Sequence, residues 1–247
     1  MKTRLSVILQ KIITMADLYM IPNLLSNSDW QSVLPASAYQ ILSDTKFFIV
    51  ENIRTARRFL KKVNKDIDIE SLTFFILNKH TDKSEISKFL DPIEKGNKIA
   101  VISEAGCPGI ADPGAEIVRI AHQNDYMVKP LVGPSSILLA LMASGLNGQN
   151  FTFHGYLPVK SNDRIKKIKA LEQKAGKQNQ TQIFIETPYR NNKLLKDIFS
   201  SCSSHTLLCN AANLTGENEF ISTKTIEQWK KKIPDLHKQP AIFLLGK

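Results

Sequence analysis

Ser103-Glu104-Ala105-Gly106-Cys107-Pro108-Gly109-Ile110-Ala111-Asp112-Pro113-Gly114 gathers three glycines, two prolines and two acids between two apolar stretches. Before it, Lys98-Ile99-Ala100-Val101-Ile102 has the continuous β-branched character of a buried parallel strand. After it, Ala115 to Ala121 opens an amphipathic helix. Loops at the carboxyl ends of parallel strands are where open α/β sheets take their ligands. Gly106 and Gly109 allow backbone to approach a ligand closely, and the prolines leave the turn little entropy to lose. The spacing is neither G-x-G-x-x-G nor G-x-x-x-x-G-K-[ST], which argues against a phosphate clamp of the common kinds.

The elements that must carry this loop are apolar strand candidates near Leu18, Phe47, Phe74, Ile99 and Val128, with helical patterns between them. That alternation implies a parallel sheet. The series resumes at Ile183, Leu207 and Ile242, with helices expected over 165–174, 191–199 and 226–232 and a turn at 215–219. Glycine, proline and charge coincide at 155–161. The expected organisation is an N-terminal extension over 1–15, an α/β domain over 16–154, a linker over 155–161 and a second α/β domain over 162–247.

Three further blocks follow the loop in order: Pro130-Leu131-Val132-Gly133-Pro134-Ser135-Ser136-Ile137 running into Leu138 to Leu146, Phe151-Thr152-Phe153-His154-Gly155-Tyr156-Leu157-Pro158, and Glu186-Thr187-Pro188-Tyr189-Arg190. Together they resemble the tetrapyrrole methylase superfamily, in particular its branch of ribosomal-RNA ribose 2′-O-methyltransferases. The patterns there are S-D-A-G-T-P-G-I-S-D-P-G, P-G-P-S-A, F-x-F-x-G-F-L-P and E-S-P-H-R. The resemblance implies two α/β domains, each a mixed, mainly parallel sheet flanked by helices. It also implies methyl transfer from S-adenosylmethionine held in the cleft between them. Backbone from Ala105, Gly106 and Cys107 through Pro108 to Ile110 is then expected to line the methionine and ribose portions. Ser135 and Ser136 would add polar contacts, and Thr187, Ala211, Ala212, Pro240 and Ala241 would close the adenine side. Pro22, Ser103, Glu104, Ala111, Asp112 and Glu186 complete the expected cofactor contacts. The plainer reading of Gly133-Pro134 is a strand-to-helix turn with Ser135 as its N-cap.

Transfer to a ribose hydroxyl needs a group to take the proton. Glu51 and Arg54, in Glu51-Asn52-Ile53-Arg54 where the family shows E-D-T-R, are the catalytic candidates, with Glu104 and Glu186 behind them. The plainer reading of Glu51 and Arg54 is a surface salt bridge worth little stability. His80 retains part of a Y-H-E-H-N-like run, whereas His122, His205 and His237 read as surface or packing residues. Departures fall at Ile21-Pro22-Asn23-Leu24-Leu25, which lacks the glycine of T-P-I-G-N-L, at Asn52 for Asp, at Tyr189 for His, and at Asn213-Leu214-Thr215-Gly216 for E-L-T-K. They leave two readings open. One is a methyltransferase with a drifted substrate, ribosomal RNA being that of the branch. The other is a catalytically silent protein that binds S-adenosylmethionine, S-adenosylhomocysteine or RNA. A tetrapyrrole substrate is disfavoured because the loop lacks the G-G-D-P form.

Composition sets the partners. Lys and Arg number 33 against 23 Asp and Glu, a formal charge of +10 in 247 residues, and a basic surface speeds encounter with polyanions such as RNA or a ribosomal subunit. Arg54, Arg57, Arg58, Lys61 and Lys62 fall on one helical stripe. It is either a phosphate-tracking face or a solvated one. Lys160, Arg164, Lys166, Lys167 and Lys169 form a second cluster. No apolar run reaches the ~20 residues of a membrane span. Cys107, Cys202 and Cys209 have no metal spacing, and their odd number favours a reducing cytoplasm. Met1 to Leu9 only hints at a signal peptide, and Met15 is the more natural family start. A homodimer without metal or membrane is expected by family analogy.

Overall fold

A computed structural model describes residues 17–247, so the expected extension over 1–15 and the choice between Met1 and Met15 lie outside the described residues. By its contacts the chain divides into two units. One runs through Leu24 and from Ser28 to Pro134; the other joins Leu25–Asn27 to Ser135–Lys247.

The first unit is a five-stranded, wholly parallel sheet of β1 (Asp17–Ile21), β2 (Phe47–Val50), β3 (Thr73–Ile76), β4 (Ile99–Ile102) and β5 (Met127–Pro130), in the order β3-β2-β4-β1-β5. Both faces are covered, which is why β2 and β4 are apolar without alternation. On one face α1 (Ala36–Asp44) and α2 (Ile53–Val63) bury Ala38, Leu42, Ala56, Phe59, Leu60 and Val63 against Tyr19, Ile21, Phe48, Val50, Ala100 and Ile102. On the other lie α3 (Lys83–Ile86), α4 (Asp91–Glu94) and α5 (Gly114–Gln123). Through Ile86, Leu90, Ile93, Ile117 and Ala121 that side packs on Leu18, Met20, Ile49, Ile99 and Val101. The connection after β1 runs towards β2 and that after β4 towards β5, so the strand order reverses between β1 and β4. That is where doubly wound sheets open a crevice at their carboxyl ends.

The second unit is a mixed sheet of β6 (Phe151–Tyr156), β7 (Thr181–Ile185), β8 (Leu207–Ala212), β9 (Phe220–Thr225) and β10 (Ala241–Gly246), ordered β6-β7-β10-β8-β9. Only β6 with β7 is parallel. The pairs β7–β10, β8–β10 and β8–β9 are antiparallel, which corrects the expectation of a mainly parallel sheet here. The physical reason is that the 213–219 turn returns the chain directly as a hairpin, with no crossover helix to make the next strand parallel. The helices α6 (Ser136–Ser144), α7 (Ser161–Gln178), α8 (Asn191–Ser201) and α9 (Ile226–Lys231) flank this sheet. Trp229 is buried and donates its indole N–H to Leu208 O at 2.8 Å.

The division at Pro134 lies upstream of the expected linker over 155–161. Both α6 and β6, read from sequence as the end of the first domain, belong with the second sheet by contact. Gly155 (φ +63°) sits in the irregular end of β6, where the pairing with β7 shifts register. The glycine that signalled a linker therefore serves a bulge. Arg164 corrects the second basic cluster. It is 1% exposed, donates Nε–H to Asp197 Oδ2 at 2.7 Å and Nη1–H to Pro158 O and Val159 O, and so is a core ion pair rather than a surface cation.

Gly133 follows β5 with no room for a side chain, because a Cβ there would lie 2.5 Å from Cβ and 2.7 Å from Cγ of Pro22. A proline ring cannot swing away as a flexible side chain can. Gly133→Ala is therefore expected to destabilise the protein by about 1–3 kcal/mol, the usual range for overpacking. Urea unfolding with an unchanged m-value checks it.

Candidate active site

The loop between β4 and α5 is built from its own sequence. Gly106 (φ +70°) and Gly109 (φ +83°) occupy left-handed backbone, and Ala111 does so at φ +63° without a glycine's freedom. Asp112 Oδ1 accepts the amides of Gly109 at 2.8 Å and Gly114 at 2.7 Å, which closes the loop and caps the start of α5. Ser103 donates its hydroxyl to Gly106 O at 2.7 Å. Gly114 is confined by the same knot, since a Cβ there would stand 2.8 Å from Asp112 Oδ1 and 2.9 Å from the Gly109 amide nitrogen.

From sequence the missing glycine at Pro22-Asn23 is only a departure from the family pattern, and what Asn23 does is not visible there. Its backbone forms a two-way bridge with Gly106, N to O at 2.9 Å and O to N at 3.1 Å. Its side chain donates to Ser103 O at 2.8 Å and Glu104 O at 3.3 Å and accepts the Leu24 amide at 2.7 Å. The two loops that border the β1–β4 crevice are thus stitched together by one buried asparagine. Asn23→Ala would leave the Ser103 carbonyl without this donor. It is expected to cost about 1–3 kcal/mol of stability, read as a lowered midpoint in urea.

Beside the loop, Ile49, Val50, Glu51, Leu77, Val101, Ile102, Ser103, Pro108, Asp112, Pro113 and Gly114 line a small hollow at the carboxyl ends of β2 and β4. Glu51 is the first residue past β2, as a strand-end catalytic group would be. Burial lifts its carboxyl above the ordinary range, the charges of Asp112 and Glu104 add to the rise, and a hydrogen bond from the Glu104 amide partly offsets it. Burial raises Asp112 as well, against the two amides that hold it. Asp112 Oδ2 is buried without a hydrogen-bond partner. Among the described residues none of Glu51, Glu104 and Asp112 forms an ion pair. The plainer reading of Glu51, a salt bridge to Arg54, is therefore absent.

Arg54 is exposed in the first turn of α2, where its amide bonds Asn52 Oδ1 at 2.9 Å. Asn52 also takes the Thr55 amide, so the change from Asp keeps an N-cap. Of the α2 stripe, Arg57 pairs with Glu70 at 3.6 Å and lies over Phe74, and Lys61 donates to Lys65 O. Glu104, Ala105, Ile110 and Ala111 are the exposed members of the loop, while Cys107 is half-buried and its thiol donates to Pro134 O at 3.6 Å. His80 is exposed in a turn closed by Asn78.

In the second unit, Glu186, Thr187, Ala211, Ala212, Pro240 and Ala241 converge on one end of the sheet, where the carboxyl ends of β7 and β8 meet the start of β10. Glu186 is buried. Its Oε1 accepts the Thr187 amide and the Nε and Nη2 of Arg190, so it braces a turn. Ala211 and Ala212 are fully buried strand residues. Ser135 precedes α6 in extended backbone, yet its hydroxyl makes no cap hydrogen bond, so the plain capping role is not what it does. Ser136 begins the helix.

With this geometry in place, the class can be stated: the chain belongs to the family described as Tetrapyrrole (Corrin/Porphyrin) Methylases, whose profile matches residues 32–229, and it is a methyltransferase. Among curated relatives, the ribosomal RNA small subunit methyltransferase I of Buchnera aphidicola subsp. Schizaphis graminum is 30% identical over 232 residues, 92% of this chain and 77% of that protein. The protein of the same name from Vibrio cholerae is 33% identical over 204 residues, covering 83% and 67%. The crystal structure of the methyltransferase CobJ shares the fold with a TM-score of 0.62, at 14% identity and 94% coverage of both chains. No helix among the described residues is long and apolar enough to cross a membrane, and no group of His, Cys, Asp and Glu among them could hold a metal ion.

Proposed function

We propose that this chain transfers a methyl group from S-adenosylmethionine to RNA, with ribosomal RNA as the substrate and a ribose 2′-hydroxyl as the acceptor. One observation carries the reading. Glu51, Glu104 and Asp112 stand together without ion pairs around a rigid glycine-bearing loop, at the end of the sheet where doubly wound folds bind ligands. Such a cluster suits a ligand that brings positive charge, and S-adenosylmethionine carries an ammonium and a sulfonium. The cofactor supplies a methyl group that is already electrophilic, so the protein's share is position and proton removal.

In this reading the loop backbone from Glu104 to Ala111, open to solvent at Glu104, Ala105, Ile110 and Ala111, holds the cofactor, and half-buried Asp112 keeps that backbone in shape. Pro22 and Ser103 support the loop, and Ser135, Ser136, Thr187, Pro240 and Ala241 are further cofactor contacts proposed from the family resemblance. Glu186 and Ala212 set the position of Thr187 and Ala241. Glu51 takes the proton from the attacking hydroxyl, a task for which a raised pKa is an advantage. Arg54, exposed beside it, draws the RNA phosphate. The names of the relatives and the +10 charge support RNA as the acceptor. The silent-binder alternative is not favoured, since these relatives carry methyltransferase names. A cytoplasmic homodimer goes with the same reading, and light scattering of the purified chain tests the oligomer.

The deciding experiment is calorimetric titration with S-adenosylmethionine and S-adenosylhomocysteine, followed by transfer of labelled methyl groups to small ribosomal subunits isolated from cells that lack this protein. Saturable binding near one site per chain with incorporation into RNA is expected. Absence of binding by both ligands would end the proposal.

A further inference from the structure

Tyr189 is 71% exposed, in a molecule whose other tyrosines are less so. It meets His237 edge to face, with ring centroids 6.0 Å apart and planes at 76°. The backbone beneath both rings is firmly held. The 3-10 turn Pro188–Arg190 is closed by Arg190 N–H to Thr187 O at 2.8 Å and braced by Glu186. The segment carrying His237 is fastened to the start of α8. Asn191 Nδ2 donates to Leu236 O and Gln239 O, Asn192 Oδ1 accepts the Leu236 amide, and Asp235 Oδ1 accepts both Asn192 Nδ2 and the His237 amide. The Lys238 amide returns to Pro188 O at 3.0 Å, joining the two segments directly. That bond holds Lys238 at φ +60°, a strained backbone for a lysine. Lys193 is exposed in the first turn of α8.

We propose that Tyr189 and His237 form a stacking platform for an unpaired base of single-stranded RNA, with Lys238 and Lys193 drawing the adjacent phosphates. A large aromatic left in water on a fully hydrogen-bonded support binds with little entropy left to lose. Sequence-tolerant recognition of single strands is built from such rings beside cations. Both acids in this network are engaged, Asp235 by Asn192 and the His237 amide and buried Glu186 by Arg190 and the Thr187 amide. The two lysines and the chain's positive charge complement a polyanion better than an apolar protein surface.

This inference rests on the RNA reading above, and its test separates the two. The probe is a fluorescein-labelled oligouridylate, titrated by anisotropy against the full chain at several salt concentrations. Wild type is expected to bind. Tyr189→Ala is expected to bind roughly tenfold more weakly, and Tyr189→Phe, which keeps the ring, to bind like wild type. Lys238→Gln should flatten the salt dependence. Thermal melting of each variant shows that it is folded. If wild type binds and Tyr189→Ala binds equally well, the platform is overturned while the RNA reading stands, and the exposed pair becomes a protein contact. If wild type fails to bind the oligouridylate, the platform falls, while the methyltransferase reading is still decided by the cofactor titration and by transfer to small ribosomal subunits.

Discussion

The Glu51→Gln protein will still bind S-adenosylmethionine, more weakly for the loss of one of three acidic groups, yet methylate RNA ~10²–10⁴-fold more slowly at saturating cofactor, the usual contribution of a positioned general base. It will also melt at a higher temperature at neutral pH. Both effects come from the same environment. Burial, then the charges of Asp112 and Glu104, raise the Glu51 carboxyl in the folded protein above its value in the unfolded chain. A group raised in this way favours the fold while it is protonated, below its unfolded pKa, and that contribution is lost as pH rises through its folded pKa. Glutamine stays uncharged throughout. The stability difference between the two proteins should therefore be largest at neutral pH and close below the ordinary carboxylate range. Wild-type turnover should move the other way, falling as acid protonates Glu51 at a pH above that range. Wild-type turnover in the Glu51→Gln protein would remove Glu51 from the chemistry.

The second large effect is one of stability alone. Arg164→Ala will cost about 3–5 kcal/mol, the loss found when one partner of a buried ion pair is removed. Asp197 would keep only the Ser161 hydroxyl, at 3.0 Å and 3.2 Å, and the Pro158 and Val159 carbonyls would lose their donor. The double variant Arg164→Met with Asp197→Leu should recover most of the loss, since apolar replacements of a buried pair are often neutral. Denaturant midpoints at a constant m-value measure both. A single-variant loss below about 1 kcal/mol, typical of surface pairs, would show that water reaches the pair.

These expectations mark how far sequence alone could reach. The strands at Leu18, Phe47, Phe74, Ile99 and Val128 were legible because a sheet buried on both faces is written as apolar runs. The strands β6 and β9 were not. Phe151–Tyr156 and Phe220–Thr225 mix polar and apolar residues at the two edges of their sheet, and Gly155 carries a bulge signal that reads equally well as a linker. Glu51 could be placed at a strand end by counting, but its elevated pKa depends on Glu104 and Asp112 folding beside it. Asn23 was opaque for a different reason. Its partners lie 80 and 81 residues away, so a position that looked like a lost glycine is a crosslink between loops. Arg164 sat in a run of lysines, and only the three-dimensional position of Asp197 separates it from them.

The membership of Leu25–Asn27 in the second unit has a consequence for the order of events at the ribosome. Leu25 packs with Leu214 and Ile242, and Ser26 shares a 3.2 Å hydrogen bond with Thr215, 189 residues downstream. At roughly 5–20 residues per second of synthesis, those three residues leave the exit tunnel some tens of seconds before their partners exist. The β1 loop must therefore wait in an open form during translation. The first sheet can close around Asn23 and Gly106 long before the adjacent three residues find their place.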